Sequence, residues 1–376
     1  MKEFKTLDVF MGKEKVGVLA TAKNRCVGFE YDTQWLQNGF SISPFSLPLE
    51  KKVFIPNIDP FEGLFGVFAD SLPDGWGRLL VDRLLLREQI NPYTIDSLNR
   101  LAIVGNSGMG ALSYRPVHEL GSEGILQDYD HMAAECRKFL TTNYSDDLDE
   151  LFRLGGSSGG ARPKILTTYQ GEEWIIKFAS AADGDDIGDI EYRYAQCAKQ
   201  CGIEMAETRL FPSKNCAGYF GTKRFDRVSD ANGQIKKIHM LSVSALLETS
   251  HRIPNLDYNI LMKLTLNLTK DYSEVEKMYR LMCFNVFSHN RDDHSKNFSY
   301  LYDNEQGTWH LSPAYDLTYS HSIGGEHATC VNGNGNNPSM SDILKVADYI
   351  GMSKEVSKRI AEEIREIVNE VLGDIS

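Results

Sequence analysis

The chain has 376 residues, 42% of them hydrophobic, and a formal charge of −12. That length supports two or three domains with a sizeable core, and the acidic balance argues against non-specific nucleic-acid binding. No run of 18 apolar residues and no early basic-then-apolar segment is present, so neither a membrane span nor a secretory signal is readable and a cytoplasmic protein is expected.

Residues 4–56 alternate and are rich in aromatic and β-branched residues, with Gly and Pro punctuation, which predicts a meander of short strands. In FADSLPDGWGRLLVDRLLLRE, Asp74 or Gly75 opens a helix whose apolar face includes Leu80 and Leu84. GNSGMGALSY (105–114) contains G-x-x-G-x-G without a βαβ context and reads as a structural turn before a strand. The polar, acidic stretch 119–150 holds one surface helix, YDHMAAECRKFL, followed by a linker.

From residue 163 the pattern is β again: PKILTTY, a QGEE turn and EWIIKFA form a hairpin. A helix follows over 189–201, then strands in ETRLFPS and GYFGTKRFDRV. The seven cysteines form no C-x-x-C pair, which suits reduced thiols better than a disulfide framework or a zinc site. Cys197 and Cys201 share a helical stripe with Ile190 and Tyr194 and are assigned to the core.

Beyond residue 240 three helical stripes stand out. They are Leu256/Ile260/Leu261/Leu264/Leu268, Val275/Met278/Tyr279/Met282/Cys283/Val286 and Val356/Ile360/Ile364/Ile367/Val371. NGNGNN (332–337) reads as a mobile loop. The resulting organisation is an α+β chain: an N-terminal β-rich subdomain (1–118), a small lobe (119–228) and a mainly α-helical lobe (229–376).

The densest polar cluster is SHNRDDHSKNFSY, 288–300, with Asp292 and Asn297 five residues apart and Asp316 a further 19 along in AYDLTYS. Phosphoryl transfer to a hydroxyl needs a carboxylate at the acceptor and oxygen ligands for Mg²⁺ on the phosphates. Protein kinases supply these as Asp, Asn five residues on, and a second Asp on the next β-segment. Three further parts precede the cluster in kinase order: the glycine-rich loop LGGSSGGARPK (154–164), Lys177 on a strand, and Glu191 early in a helix as its ion-pair partner.

Other chemistries fail on specific residues. Ala161 stands where a Walker lysine is needed, and the loop is not G-x-G-x-x-G. His289, His294 and the Asp292–Asp293 pair lack an H-E-x-x-H frame, and G-S-S-G-G is not a hydrolase G-x-S-x-G.

With these motifs assembled, the sequence resembles the HipA family, the serine/threonine-kinase toxins of bacterial type II toxin–antitoxin pairs. RDDHSKNFSY resembles the family's catalytic loop, AYDLTYS its metal-binding segment, KRFDR its hinge, SSGGARPK its ATP loop and FADSLPDGWGR an N-terminal motif. The resemblance implies a kinase-like two-lobed fold that uses ATP and Mg²⁺. Asp292 would be the base, and Asn297 and Asp316 the metal ligands. Gly159, Gly160, Ala161, Arg162, Lys164 and Lys177 would lie at the phosphates. Lys223, Arg224 and Phe225 would hold adenine, with Asp226 at the ribose. His294 and Lys296 would support the catalytic loop and, with Asn297 and Tyr315, complete the nucleotide set.

Ser157 matches the family's autophosphorylated position, with Ser158 next. Asp293, where the best-known toxins carry a small residue, is expected to raise the pKa of Asp292 or tune metal affinity. The implied partners are a HipB-like helix-turn-helix antitoxin, DNA only through it, and a protein substrate, for which an aminoacyl-tRNA synthetase is the family precedent. No membrane is expected. Two other readings stay open: a small-molecule phosphotransferase, because Asp-x-His-x-x-Asn also describes aminoglycoside- and choline-kinase-like loops, and a nucleotide-binding pseudokinase acting through its partner.

Overall fold

The computed structural model describes residues 2–120, 128–229 and 233–373. The chain divides into two compact units, Met1–Asp185 with Phe211–Thr249, and Asp186–Leu210 with Ser250–Ser376.

The first unit begins with the expected meander. Strands Val53–Phe54, Val27–Tyr31, Glu14–Thr21, Thr6–Met11 and Leu112–Arg115 lie side by side in that order, every pair antiparallel. Alternation places Leu7, Val9 and Leu19 on the buried face, and Val16 is buried at the register shift opposite Val9 and Phe10. The helix Gly75–Arg87 starts after Asp74 and buries Trp76, Leu80 and Leu84. A helix over Ser97–Val104 has no counterpart in the sequence reading. All eight of its residues are buried, so it lacks the polar face that makes a helical period visible.

Helix Tyr129–Thr142 lies where expected, but the linker reading beyond it needs correction. Leu148–Gly155 is a second helix that buries Leu148, Leu151 and Leu154. Strands Lys164–Tyr169 and Glu172–Lys177 form the expected hairpin, and Tyr219–Lys223 pairs with the second of them. Gln170 and Gly171 turn the hairpin with φ of 52° and 80°, both in the left-handed region that tight two-residue hairpin turns use. Trp76, Leu80, Phe139, Leu151, Ile165, Trp174, Ile176 and Phe178 share one core.

The second unit is mainly helical, with Ile187–Gln200, Tyr258–Thr269, Tyr272–Phe287, Met340–Tyr349 and Lys354–Leu372. A hairpin, Ser299–Asp303 with Thr308–Leu311, and a short parallel pair, Leu256–Asp257 with Thr329–Cys330, carry the polar loops. The stripe of Tyr272–Phe287 is buried throughout. The other two stripes need adjustment: Ile260 is 43% exposed, and the last helix buries Val368 and Leu372 in place of Ile367 and Val371. At the start of that helix Ser357 is buried in place of Val356, so the buried line lies one position beyond the expected stripe at both ends.

All seven cysteines are free thiols, and Cys197 and Cys201 are buried. Among the described residues no helix is long and apolar enough to cross a membrane.

NGNGNN is a hydrogen-bonded turn and not a loose loop. Gly333 N donates to Asp257 Oδ2 at 2.6 Å, Val331 N to Asn334 O at 2.9 Å, and Asn334 Nδ2 to Asp342 Oδ2 at 3.1 Å. Asn and Gly are chosen there for left-handed backbone, at Asn332, Gly333 and Asn337.

Phe284 is fully buried and meets Tyr194 edge to face at 6.2 Å. Phe284→Ala is expected to cost about 3–5 kcal/mol in denaturant titration. Ile260→Ala, on the exposed side of its helix, is expected to stay within about 0.5 kcal/mol.

Candidate active site

In the first unit, the loop Ser157–Pro163 runs from the end of helix Leu148–Gly155 into strand Lys164–Tyr169. The Pro-Asp-Gly-Trp-Gly segment at 73–77 holds it. Gly160 N donates to Asp74 Oδ1, Trp76 N donates to Gly160 O at 2.9 Å, and Trp76 Nε1 donates to Lys164 O at 3.1 Å. A side chain on Gly77 would place its Cβ 2.2 Å from Ser158 O, so close backbone approach requires glycine there. The N-terminal motif is therefore a clamp on the glycine loop. The sequence signal for it was the motif itself; what it touches was not readable.

The two serines of the loop differ. Ser158 is 2% exposed and its Oγ donates to Gly155 O at 2.6 Å, whereas Ser157 is half-buried. Ala161 is exposed, and Arg162 pairs with Asp183 at 3.1 Å. Burial raises the Asp183 carboxyl, but the Ser180 hydrogen bonds and Arg162 outweigh it and hold it below the usual range.

Lys164 and Lys177 stand directly opposite each other across the hairpin. Like charges on facing rungs repel, so this pair favours an anion nearby. Lys164 is buried with Nζ donating to Gly159 O at 2.6 Å, while Lys177 lies with Nζ 5.6 Å from the Phe220 ring centre. Trp174, Ile176 and Phe178 are buried on the other face, as the alternation predicts.

The hinge segment departs from expectation at Asp226. Its side chain is fully buried and accepts from Arg224 Nε at 2.9 Å, Arg227 NH1 at 2.8 Å and Gly110 N at 2.8 Å. Those donors engage both carboxylate oxygens inside the protein, so the ribose contact expected of Asp226 is corrected to an anchoring role. Arg224 N donates to Glu173 O at 2.8 Å, and Arg227 NH2 to Gly108 O at 2.9 Å. The turn GNSGMG is thus the receptor for the hinge arginines, consistent with its structural reading. Lys223 pairs with Glu172 at 3.0 Å, and Phe225 is half-buried.

In the second unit, Asp292 and Asp293 have opposite surroundings. The Asp292 side chain is 63% exposed, with His294 Nε2 4.0 Å from its Oδ1. Asn297 Nδ2 donates to Asp292 O at 2.7 Å and Asn297 N to His294 O at 2.8 Å, closing the loop on itself. Asp293 is fully buried. Tyr258 OH (2.8 Å) and His327 Nδ1 (3.0 Å) donate to its Oδ2, and Thr329 N (3.1 Å) to its Oδ1. Asn285 Nδ2 donates to Tyr258 OH at 3.0 Å and Asn290 Nδ2 to Asn285 Oδ1 at 2.9 Å, extending the network. Burial, followed by the Asp293 charge, pushes the Tyr258 phenol well above its ordinary value. Asp293 thus has a structural role, its carboxylate met by donors in the core.

Tyr315 OH donates to Lys296 O at 2.6 Å and lies 2.6 Å from Ser299 Oγ, tying the Asp316 segment to the catalytic-loop strand. Asp316 is half-buried with φ of 58°, a left-handed conformation uncommon outside glycine. Glu191 is buried on helix Ile187–Gln200. Among the described residues no three His, Cys, Asp or Glu side chains form a metal centre of their own. Asn297 donates through its nitrogen, and its Oδ1 and the Asp316 carboxylate are hard oxygen groups of the type that Mg²⁺ takes as ligands.

Fold and site together define a two-lobed, kinase-like α+β protein. Residues 7–115 match the model for the HipA N-terminal domain, and residues 156–372 match the model for the HipA-like C-terminal domain. The chain belongs to the HipA family, and its class is that of the HipA-type kinases. The HipA of Shewanella oneidensis MR-1, solved with HipB and operator DNA, shares the fold. It superposes with a TM-score of 0.72 over 97% of this chain and 90% of that one, at 18% identity. Y4mE of Sinorhizobium fredii, provisionally named a kinase, is 24% identical over 83% of this chain and 77% of its own length.

The Asp226 carboxyl is held below the usual range: burial alone would raise it, but Arg224, Arg227 and the Gly110 N–H outweigh burial. A depressed folded pKa means stability that is present above the ordinary carboxylate value of about 3.9 and lost as pH falls through the depressed one. Asp226→Asn leaves two buried guanidiniums sharing Glu173, at 3.4 and 3.3 Å, as their one remaining carboxylate and is expected to cost about 3 kcal/mol at neutral pH. In denaturant titrations the gap from wild type should shrink as the buffer is taken below that carboxylate value.

Proposed function

We propose that the protein is an ATP- and Mg²⁺-dependent serine/threonine kinase that phosphorylates a protein hydroxyl and its own Ser157. The observation that carries this reading is the catalytic loop, in which an exposed Asp292 is braced by Asn297 through its own carbonyl while its neighbour Asp293 is sunk in the core. Asp292 takes the proton of the acceptor hydroxyl as its oxygen attacks the γ-phosphorus and ADP leaves. Lys177, with Lys164 on the opposite rung, and the glycine-loop N–H groups hold the phosphates in place. Asn297 and Asp316 hold the Mg²⁺, which neutralises charge on the phosphate oxygens when bound. Lys223 and Phe225 hold the adenine, and His294, Lys296 and Tyr315 stiffen the loop that carries the base.

Ser157 is the more accessible of the two loop serines, which supports it as the modified position. A phosphate there adds up to two negative charges where ATP phosphates belong, so the modified loop repels nucleotide. The Shewanella relative was solved with HipB and operator DNA, which supports a HipB-like antitoxin as partner, with DNA reached only through it. Within the family's chemistry an aminoacyl-tRNA synthetase is the first substrate to test.

With γ-labelled ATP and a host lysate, the wild-type protein should label a protein acceptor in Mg²⁺ and not after chelation. Asp292→Asn should lose about 10²–10⁴ of that transfer while still binding ATP. Equal inactivity of wild type and variant would indicate a pseudokinase, and label only on a small molecule would indicate the other phosphotransferase class. Peptide mapping of the purified protein should find its own label on Ser157. A Ser157→Ala chain that labels itself fully, at neither Ser157 nor Ser158, would contradict the assignment.

A further inference from the structure

A cavity of about 260 Å³ lies in the second unit, beside the catalytic loop and apart from every residue assigned to nucleotide or metal. It is walled by His289, Arg291, His327, Asn337, Arg365 and Asn369, so every charged group lining it is cationic. This contrasts with a chain whose formal charge is −12. Among the described residues neither Arg291 nor Arg365 has a carboxylate within ion-pairing distance.

The ring of His327 is fixed by its Nδ1 bond to Asp293 at 3.0 Å, which leaves Nε2 as its remaining polar atom. Burial, then the charges of Arg291 and His327, push the His289 imidazole below its ordinary value. Asn337 comes from the NGNGNN turn, whose hydrogen bonds to Asp257 and Asp342 hold that wall in place. This turn and Arg291 are the two features of the sequence that the kinase reading leaves without a role.

We propose that this cavity is a binding site for a phosphate monoester dianion, held by the guanidiniums of Arg291 and Arg365 with the amides of Asn337 and Asn369. Guanidinium presents paired N–H donors that match phosphate or carboxylate oxygens in a fork; the two oxygens of a carboxylate fill one fork, whereas the three free oxygens and second charge of a phosphate monoester can engage two guanidiniums. The cavity is larger than a bare phosphate requires, so it leaves room for the first atoms of the ester. Arg291 directly precedes Asp292, and its carbonyl accepts from Ala328 N at 3.0 Å, so an occupant fixes the backbone at the start of the catalytic loop. Binding itself does not depend on the kinase reading; only that consequence does.

The test is calorimetric titration of the full chain, in phosphate-free buffer, with inorganic phosphate, O-phosphoserine and acetate. Saturable binding of both phosphates, and at least tenfold weaker binding of acetate, is expected. Tighter binding of O-phosphoserine would identify a phosphorylated side chain as the source, and equal binding a free phosphate. Arg365→Met, on the exposed side of its helix, should weaken phosphate at least tenfold, as should Arg291→Met. Arg359→Gln on the same helix should leave the titration unchanged. Binding that survives both arginine variants, or that acetate matches, would overturn the proposal, as would the absence of any saturable signal. Circular dichroism of Arg365→Met, expected to match wild type, separates lost binding from lost folding.

Discussion

The buried carboxylate of Asp293 is the constraint on which the catalytic loop depends. Moving a charged carboxylate out of water is costly unless donors meet it on every side. Tyr258 and the His327–Thr329 segment do so from two different parts of the chain. Because both must converge, the segments that carry them are fixed relative to the loop. Thr329 Oγ1 also donates to the Asp293 carbonyl at 2.5 Å, so both ends of this residue are held. With one aspartate drawn inward, backbone geometry turns its neighbour outward, and Asp292 is left 63% exposed beside Asn297. Adjacent residues of one type thus take opposite positions: one anchors, and the other faces solvent, where the proposed base is needed.

The first unit solves a similar problem without a buried network of its own at the loop. Its glycine loop is shaped by a clamp 84–88 residues earlier in the chain, where Asp74 and Trp76 bind the backbone of Gly160 and Lys164. The hinge is shaped by a second remote piece, the 105–110 turn, whose carbonyls and amide receive Arg224, Asp226 and Arg227. Both devices belong to the N-terminal subdomain, which explains physically why the kinase parts come with that subdomain attached. Its glycines are required by close backbone contact and its carbonyls by buried arginines, so neither piece is free to vary independently of the loop it serves.

Much of this was legible in the sequence. The meander, the 164–177 hairpin and the long amphipathic helices followed from alternation and 3.6-residue periodicity, because each has one wet face. The Ser97–Val104 helix did not, because every face of it is dry. Spacing alone singled out Asp292, Asn297 and Asp316, but it could not say which of two consecutive aspartates faces solvent. Nor could it show that Asp226, placed by its motif at a ribose, has its oxygens spent on two arginines and a glycine amide. For Asp293 the missing partners lie 34–36 residues away; for Asp226 the two arginines are neighbours in sequence, and the Gly110 amide, 116 residues away, is the long-range part. Glycine and asparagine in NGNGNN signalled unusual backbone correctly. Only the side chains of Asp257 and Asp342, remote in sequence, convert that signal from a loose loop into a fixed wall.

The division of labour between the two aspartates is tested most directly by denaturant unfolding of Asp292→Ala and Asp293→Ala side by side. Asp292→Ala should unfold within about 0.5 kcal/mol of wild type, as an exposed residue outside the core does. Asp293→Ala strands three buried donors and should lose about 3 kcal/mol or more. Equal losses, or a larger loss for Asp292→Ala, would contradict the account.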